Sequence, residues 1–545
     1  MNGNDLIAQI LKREGVEWMA CFPSNPLIEA VAKVGIRPVA FRHERGAVMA
    51  ADGFSRVSDR KRLGVVAVQS QAGAENALGG IAQANADNVP ILVLPGGNNL
   101  DRLGVRPNYS AVHQYDGIVK RVEAIYTPEQ VPDIMRRAFH ALRNGPGGPV
   151  VVELTTDVCA LDAGLEPSVY TSPKVLAQVP SASEIEQAAA ALVRAKRPLL
   201  WAGAGVLMAQ ASAELQQLAE LLAAPVFCTM PGKSAFDERH PLSLGAGSGA
   251  TTLAAHRWLQ TTDVMLALGS SLTRTPYGQR VPANATLLHN TDNVDDINKD
   301  ENVDVALVGD SRLTIALLLE AVKAEVSAPR DASAVTAEIA ASREQWMQTW
   351  RPRLESDDTP LSYYRVIHEF NQNLDLENSV VTHDAGAPRD SIVPFFTATT
   401  PHSYVGWGKT THLGFGIPLA IGAKMADPDK FCLNIMGDGA FGMSGTDIET
   451  SVRAGLPITT VLLNNGGMAT YPGGFPNARE SYGVSHMLGD YATIARGMGA
   501  EGLYVRSAAE MGPALLEARK LNADGKTVLI DVVADMGAHR SKFDA

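Results

Sequence analysis

Apolar positions fall along this chain in two alternating rhythms. Short uninterrupted apolar runs, of the length of strands buried on both faces, alternate with stretches in which apolar residues recur every three to four positions, as on one face of a helix. The first helix, 5–13, carries Leu6, Ile7, Ile10 and Leu11 on one face. Strands are then expected at 18–22, 39–42, 63–70, 91–94 and 150–154, with helices between them, the first over 26–34. A Pro- and Ser-rich linker at about 165–182 interrupts the rhythm, which resumes with strands at 198–202, 225–229, 264–268 and 286–289. A polar, Trp-bearing helix at 333–350 leads to a third set at 380–382, 431–436, 458–463 and 528–533. Strands alternating with helices predict parallel sheets covered on both faces. The fold class is therefore α/β, with three doubly wound parallel-sheet domains at 1–170, 182–330 and 355–540. Two of the three share a layout, as an internal duplication would leave them, although no residue-level repeat is visible.

Composition narrows the functional classes. At 545 residues the chain is too long for one core. A net charge of −12, with no basic run or basic helix face to offset it, excludes a nucleic-acid surface. Cys21, Cys159, Cys228 and Cys432 are scattered, mostly within apolar runs and without a CxxC pair, as in a protein of the reducing cytoplasm. The amino terminus reads as an amphipathic helix rather than a signal segment. No stretch approaches the ~20 apolar residues of a membrane span.

The candidate chemistry sits where two apolar runs end. Residues 431–436 run into Gly437-Asp438-Gly439, and 458–463 run into Asn464-Asn465, with a helix expected over 445–454. Asp438 and Asn465 thus stand at the carboxyl edge of two successive parallel strands, where open sheets bind ligands. Magnesium takes oxygen ligands in octahedral geometry and shares them with water and phosphates. Asp438, Asn465 and the backbone carbonyl of Gly467 supply three such oxygens. Either motif alone is an ordinary turn or loop. A lone G-x-G at 203–205 has Met208 in the third glycine position of a dinucleotide fingerprint and reads as a tight turn.

With Asn465 placed 27 residues after Asp438, the pair resembles the magnesium–diphosphate motif of thiamine diphosphate (ThDP) enzymes. The chain resembles the acetolactate synthase and 2-oxo-acid decarboxylase (pyruvate decarboxylase-like) family along essentially its whole length. The resemblance implies a pyrimidine-binding domain, a central domain and a diphosphate-binding domain, with ThDP and Mg2+ as cofactors. Arg42-His43-Glu44-Arg45-Gly46-Ala47 is similar to RHE-x-GA, whose glutamate bonds the cofactor's pyrimidine nitrogen and handles its proton; Glu44 takes that role. Gln71 to Asn76 stands, without the GPG, where the family has a sequence like GPGATN, and the resemblance brings Asn76 to the cofactor. Asp87-Asn88-Val89-Pro90 resembles DS-x-P, and Asp384-Ala385-Gly386 resembles D-x-G, whose Gly386 approaches the diphosphate. Gly414 to Pro418 resembles GFG-[LI]-P; Leu413 before it would wedge between the cofactor rings, and the Thr411 carbonyl would accept from the 4′-amino group. The resemblance implies that Gly437, Gly439, Ala440 and Met468 complete the cofactor-binding set. In the middle domain, His240 to Gly245 resembles HP-x-x-LG.

The residues expected to face substrate are less sharply marked. His113 and Gln114 are the first choice, because they stand near FQE-x-D of acetolactate synthases and the paired histidines of pyruvate decarboxylases. Ser24, Asn25, His383, Arg389 and His412 are further candidates; Arg389 and Arg42 are able to hold a carboxylate, and Met468 and Tyr471 to line the pocket. Three departures from biosynthetic acetolactate synthases stand out. Glu153 to Asp157 replaces a DIPKD-like segment, no tryptophan follows the asparagine pair, and Ser271 to Thr275 replaces an RFDDR-like stretch, so flavin (FAD) is not expected. The resemblance implies a ThDP- and Mg-dependent lyase or transferase that decarboxylates a 2-oxo acid and passes the acyl-anion equivalent to a carbonyl acceptor. Alternatives are a non-oxidative 2-oxo-acid decarboxylase, a C–C bond lyase acting on a hydroxyketone, a flavin-linked oxidase, or a non-catalytic subunit. It also implies a site shared between two chains, hence a homodimer at least and a homotetramer as the commoner case.

Overall fold

The computed structural model describes residues 1–59, 61–468, 474–537 and 539–543. Among them the apolar runs become three six-stranded parallel sheets. The first comprises β1 (Trp18–Cys21), β2 (Arg37–Ala40), β3 (Gly64–Val68), β4 (Ile91–Pro95), β5 (Arg121–Ile125) and β6 (Val150–Leu154), in the order β2-β1-β3-β4-β6-β5. The second comprises β7 (Pro198–Ala202), β8 (Val226–Thr229), β9 (Ser243–Gly247), β10 (Val264–Leu268), β11 (Thr286–Thr291) and β12 (Val305–Val308), in the order β12-β11-β10-β7-β8-β9. The third comprises β13 (Ser379–His383), β14 (Tyr404–Val405), β15 (Phe431–Gly437), β16 (Thr459–Asn464), β17 (Glu501–Val505) and β18 (Val528–Val533), in the order β14-β13-β15-β16-β18-β17.

Counted locally, the first and third sheets have the same order, while the middle sheet follows the other doubly wound pattern, in which the order reverses between β7 and β10. The α/β reading and the likeness of two domains thus appear directly in the topology. The strands that the apolar pattern does not reveal, β5, β9, β12, β14 and β17, are all sheet edges. Three of them, β5, β12 and β17, bury less: Arg121 and Tyr504 are exposed, and Val305, Ala306 and Val308 are only half-buried. The expected strand at 39–42 lies two residues earlier, as β2, which leaves Arg42 and His43 in the turn before a helix.

Helices join the first and third domains. The helix Glu44–Val57 lies along the helix Gly416–Ala426, and both contribute to one shared core with Ala47, Ala50, Phe54, Ile417, Leu419 and Ala423. Small residues let the two backbones approach. A Cβ on Gly53 would stand 2.6 Å from the Leu419 carbonyl oxygen, and one on Gly422 would stand 2.1 Å from that of Ala50. The helix Ser333–Leu354 connects the middle and third domains, stacking Trp346 on Phe395 and setting Trp350 against the same ring at a tilt. Among the described residues no helix is long and apolar enough to cross a membrane.

Candidate active site

At the carboxyl edge of the third sheet, β15 turns without a loop into the helix Asp438–Ser444, so the carboxylate stands in the first turn of a helix that was expected to begin only at 445. A carboxylate there is favoured by the free backbone N–H groups. Asp438 Oδ1 accepts from Gly439 N at 2.8 Å, and the N–H groups of Gly466 and Gly467 also lower its pKa; burial outweighs them and raises it. Its Oδ2 is buried and, among the described residues, has no hydrogen-bond partner. An unsatisfied buried carboxylate oxygen is costly, and a hard cation would satisfy it.

Asn465 follows β16. Its Nδ2 donates to the buried Tyr363 hydroxyl at 2.8 Å and its Oδ1 accepts from Gly467 N at 2.9 Å, so the amide's oxygen end is turned toward the glycine loop. Met468 lies against Gly439, where a Cβ would come within 2.9 Å of its Cγ and Sδ. Ala440 is buried in the same helical turn, whereas among the described residues nothing lies within 4 Å of a Cβ built on Gly437 or Gly386. Among the described residues no group of three His, Cys, Asp or Glu side chains is placed to hold a metal. A cation here would rest on one carboxylate, one amide and backbone carbonyls, a hard-oxygen set with room left for water and phosphate. Asp438, Asn465 and Gly467 fit that requirement. Tyr471 lies outside the described residues.

Leu413 belongs to a turn that Asp384 holds. Asp384 Oδ1 accepts from Gly414 N at 3.0 Å and from Ala385 N at 2.8 Å, and its Oδ2 accepts from Gly416 N at 2.9 Å. Burial raises its pKa to about 6 against these bonds. The carboxylate therefore pins the end of β13 to the turn at 414–416, a role that a three-residue motif does not disclose. Thr411 has φ +54° and Gly414 φ +81°, so the turn passes twice through the left-handed region.

Glu44 opens the first-domain helix, with His43 as its N-cap through Nδ1 accepting from Arg45 N. It is buried, and its Oε2 accepts from Asn76 Nδ2 at 3.1 Å. Asn76 lies on the helix Ala72–Ala86, which begins after Gln71 at φ +51°; a lost GPG is thus replaced by one left-handed glutamine. Asp447 reaches this helix start from the third domain. It accepts from Arg42 N at 3.1 Å, and a Cβ on Gly46 would stand 2.2 Å from its Oδ2, which is why this position needs glycine. Burial raises the Asp447 pKa to about 6.

The substrate candidates separate. His113 and Gln114 are exposed on the short helix Ala111–Tyr115, whose Val112 N–H donates to the buried Glu153 carboxylate at 3.3 Å. Glu153, noted in the sequence only as a departure, is therefore a support for that helix. Asn25 is not a pocket residue: its Nδ2 donates to the Val68 and Leu94 carbonyls at 3.0 and 3.1 Å, tying β3 to β4. His383 is not one either. It is fully buried, stacks on Trp407 at 5.1 Å between ring centroids, and burial lowers its pKa to about 3. Arg389 is buried over the Tyr277 ring with Asp390 as ion partner, and Arg42 makes a 3.9 Å ion pair with Glu449. His412 is half-buried against Gly79 on the helix Ala72–Ala86. Ser24 is exposed.

A cavity of about 1030 Å³ opens where the middle sheet reverses order, lined among others by Gly203, Gly205, Gly269, Ser271 and Thr291. The glycines there serve loop packing, since a Cβ on Gly205 would lie 2.6 Å from Gly269 Cα. Arg274 on its rim is taken up by Glu301 through bonds of 2.8 and 2.9 Å.

Comparison with known proteins follows the same division. Residues 1–120 match the family described as thiamine pyrophosphate enzyme, N-terminal TPP binding domain; residues 185–318 match its central domain, and residues 384–532 its C-terminal TPP binding domain. The chain is 29% identical over 561 residues to a probable acetolactate synthase large subunit of Methanococcus aeolicus, covering 98% of this chain and 92% of that protein. It is 28% identical over 567 residues to the acetolactate synthase isozyme 3 large subunit of Escherichia coli (strain K12), covering 99% and 96%. With the acetolactate synthase large subunit of Corynebacterium glutamicum it shares 29% over 519 residues, covering 91% and 80%. Matched by all three domains of the family and similar to these proteins from end to end, the chain belongs to the thiamine pyrophosphate (thiamine diphosphate) enzymes.

Proposed function

We propose that this enzyme is an acetolactate synthase-like carboligase, dependent on ThDP and Mg2+, that decarboxylates a 2-oxo acid and transfers the acyl-anion equivalent to a carbonyl acceptor. The observation that carries the metal and cofactor reading is the buried Asp438 Oδ2, unpartnered among the described residues, beside Asn465 and the glycine loop. When bound, ThDP would supply the carbon centre at which a 2-oxo acid loses carbon dioxide. The chain's own residues bind and orient it. Asp438, Asn465 and the Gly467 carbonyl would hold Mg2+; Gly386, Gly437, Gly439 and Ala440 would leave space for the diphosphate; Thr411, Leu413 and Met468 would orient the rings. Glu44, with Asn76 beside it, would hold a proton at its carboxylate for the pyrimidine nitrogen. His113 and Gln114 would be proton donors toward substrate, and their exposure in the single chain fits a site completed by a second copy. That exposure supports a homodimer at least, with a homotetramer as the commoner case, and the four free, buried cysteines fit a reducing cytoplasm. The domain limits we assign are 1–170, 182–330 and 355–540.

Carbon-13 NMR of the protein with ThDP, Mg2+ and labelled pyruvate, with and without aldehyde acceptors, tests the reaction. Labelled acetolactate or a mixed hydroxyketone supports the carboligase; labelled acetaldehyde alone favours a non-oxidative decarboxylase. No turnover of pyruvate or of larger 2-oxo acids by ThDP-loaded enzyme overturns the reading.

A further inference from the structure

Four buried polar side chains of the first domain serve none of the roles above. Gln83 and Asp87 lie one turn apart at the end of the helix Ala72–Ala86, and Asp52 and Arg56 lie one turn apart on the helix Glu44–Val57. Arg56 Nη2 donates to Asp87 Oδ2 at 2.9 Å and to Asp52 Oδ2 at 3.2 Å, so one cation stands between two buried carboxylates. Gln83 Nε2 donates to Asp87 Oδ2 at 2.8 Å, which fixes the glutamine amide with its oxygen pointing away from Asp87.

The remaining acceptors of Asp87 and Gln83 are spent on one turn of the third domain. Asp87 accepts from Gly408 N at 3.0 Å and from Lys409 N at 3.2 Å. Gln83 Oε1 accepts from Thr410 Oγ1 at 2.7 Å and, more loosely, from His412 N at 3.4 Å. Arg56 Nη1 donates to the Gly406 carbonyl at 3.3 Å, and Lys409 Nζ reaches Ser271 Oγ of the middle domain at 2.8 Å. The segment held in this way is strained. Gly408 has φ +120° and Thr411 φ +54°, a left-handed conformation that a β-branched residue adopts only when its surroundings enforce it. The enforcement comes from the flanking residues, each bonded to a side chain of another domain.

We propose that Gln83 and Asp87 are positioning residues of the active site: across the domain boundary they fix the turn 408–412 so that the Thr411 carbonyl and Leu413 stand in register for the aminopyrimidine ring of ThDP. The inference rests on the cofactor reading given above. Asp52 belongs to the same buried network without touching the turn, and so separates positioning from stability.

The test compares Gln83→Met, Thr410→Val and Asp52→Asn with the parent enzyme, reading ThDP affinity, the near-ultraviolet circular dichroism of bound ThDP, kcat, KM for the 2-oxo acid, and melting temperature. Gln83→Met removes the acceptor at nearly constant volume. It is expected to bind ThDP with an altered dichroism signal and to lose kcat by about ten- to a hundredfold with KM little changed, the scale of a small misplacement of reacting groups. Thr410→Val removes one bond from an exposed residue, folds regardless, and is expected to shift the same two readouts in the same direction by less. Asp52→Asn is expected to lower the melting temperature and leave the dichroism signal intact. Parent-like dichroism and kcat in both Gln83→Met and Thr410→Val, or a change in melting temperature alone, overturns the proposal. A parent enzyme that shows no ThDP-dependent signal overturns the cofactor reading instead.

Discussion

The contact between the helices Glu44–Val57 and Gly416–Ala426 gives the sharpest structural prediction, because a single methyl group tests it. Gly422→Ala would place a Cβ 2.1 Å from the Ala50 carbonyl oxygen and 2.8 Å from the Phe54 nitrogen, both backbone atoms that no rotamer change relieves. Carbon is not accommodated below 3.0 Å, so the helices must part by 3.0 − 2.1 = 0.9 Å along that line. A gap approaching 1 Å forfeits roughly a quarter to a half of the dispersion well for each contact across it. The side chains affected, including Phe54, Ile417, Leu419 and Ile421, are buried in the core shared by the two domains. Overpacking of this kind costs about 3 kcal/mol, the upper part of the usual range, and the better helix propensity of alanine returns about 1 kcal/mol. The net loss of about 2 kcal/mol corresponds to roughly 4–8 °C in melting temperature for a unit of this size. Gly497→Ala is the control: that position closes the helix Tyr491–Gly497 with nothing within 4 Å of a Cβ. Thermal unfolding followed by circular dichroism should show Gly422→Ala well below the parent and Gly497→Ala at or slightly above it. Equal melting temperatures for the two variants would refute the packing argument.

Other perturbations follow from the site. Glu44→Gln should leave ThDP binding and melting temperature near parental while kcat falls by about 10²-fold or more, the usual worth of an acid–base group; near-normal turnover would remove Glu44 from its role. Tyr363→Phe withdraws the hydroxyl that orients Asn465, so Mg2+ affinity measured by titration at fixed ThDP should fall by about tenfold or more, as for outer-sphere supports generally, and unchanged affinity would contradict that orientation. Asp447 binds its proton more tightly folded than unfolded, because burial lifts its pKa to about 6, so its contribution to stability falls as pH rises from about 4 to about 6. Asp447→Asn should flatten denaturant midpoints across that window, and an unchanged pH slope would contradict the assignment. The middle-domain cavity makes the flavin question measurable: a colourless purified protein agrees with the sequence expectation, and a flavin absorption spectrum contradicts it.

What the sequence disclosed follows from burial. Central strands such as β6, β7, β10 and β18 are covered on both faces, so their apolar runs mark them to the residue. The edge strands β5 and β17 keep polar positions, and β14 is only two residues long, too short to leave a pattern. The same reason divides the site. Asp438 and Asn465 end buried strands, and strand ends are visible as abrupt changes of composition. Asp384, Asp447, Gln83, Asp87 and Glu153 act through hydrogen bonds to residues tens or hundreds of positions away, and nothing local announces such partners. His383 and Asn25 mislead in the opposite sense: one stands beside the D-x-G motif and the other shortly after the first strand, yet the fold turns one into the core and spends the other on two strand ends.

The central claim, that the edge formed by Asp438, Asn465 and the glycine loop holds magnesium and a diphosphate, is tested most directly by calorimetric titration of ThDP into the enzyme with Mg2+ present and with it chelated, for the parent and for Asp438→Ala. The account predicts tight binding to the parent only with Mg2+, and a loss of affinity of two orders of magnitude or more when either the metal or the carboxylate is removed, the upper end expected for a metal's close support. Binding of ThDP with equal affinity in all of these conditions would contradict it.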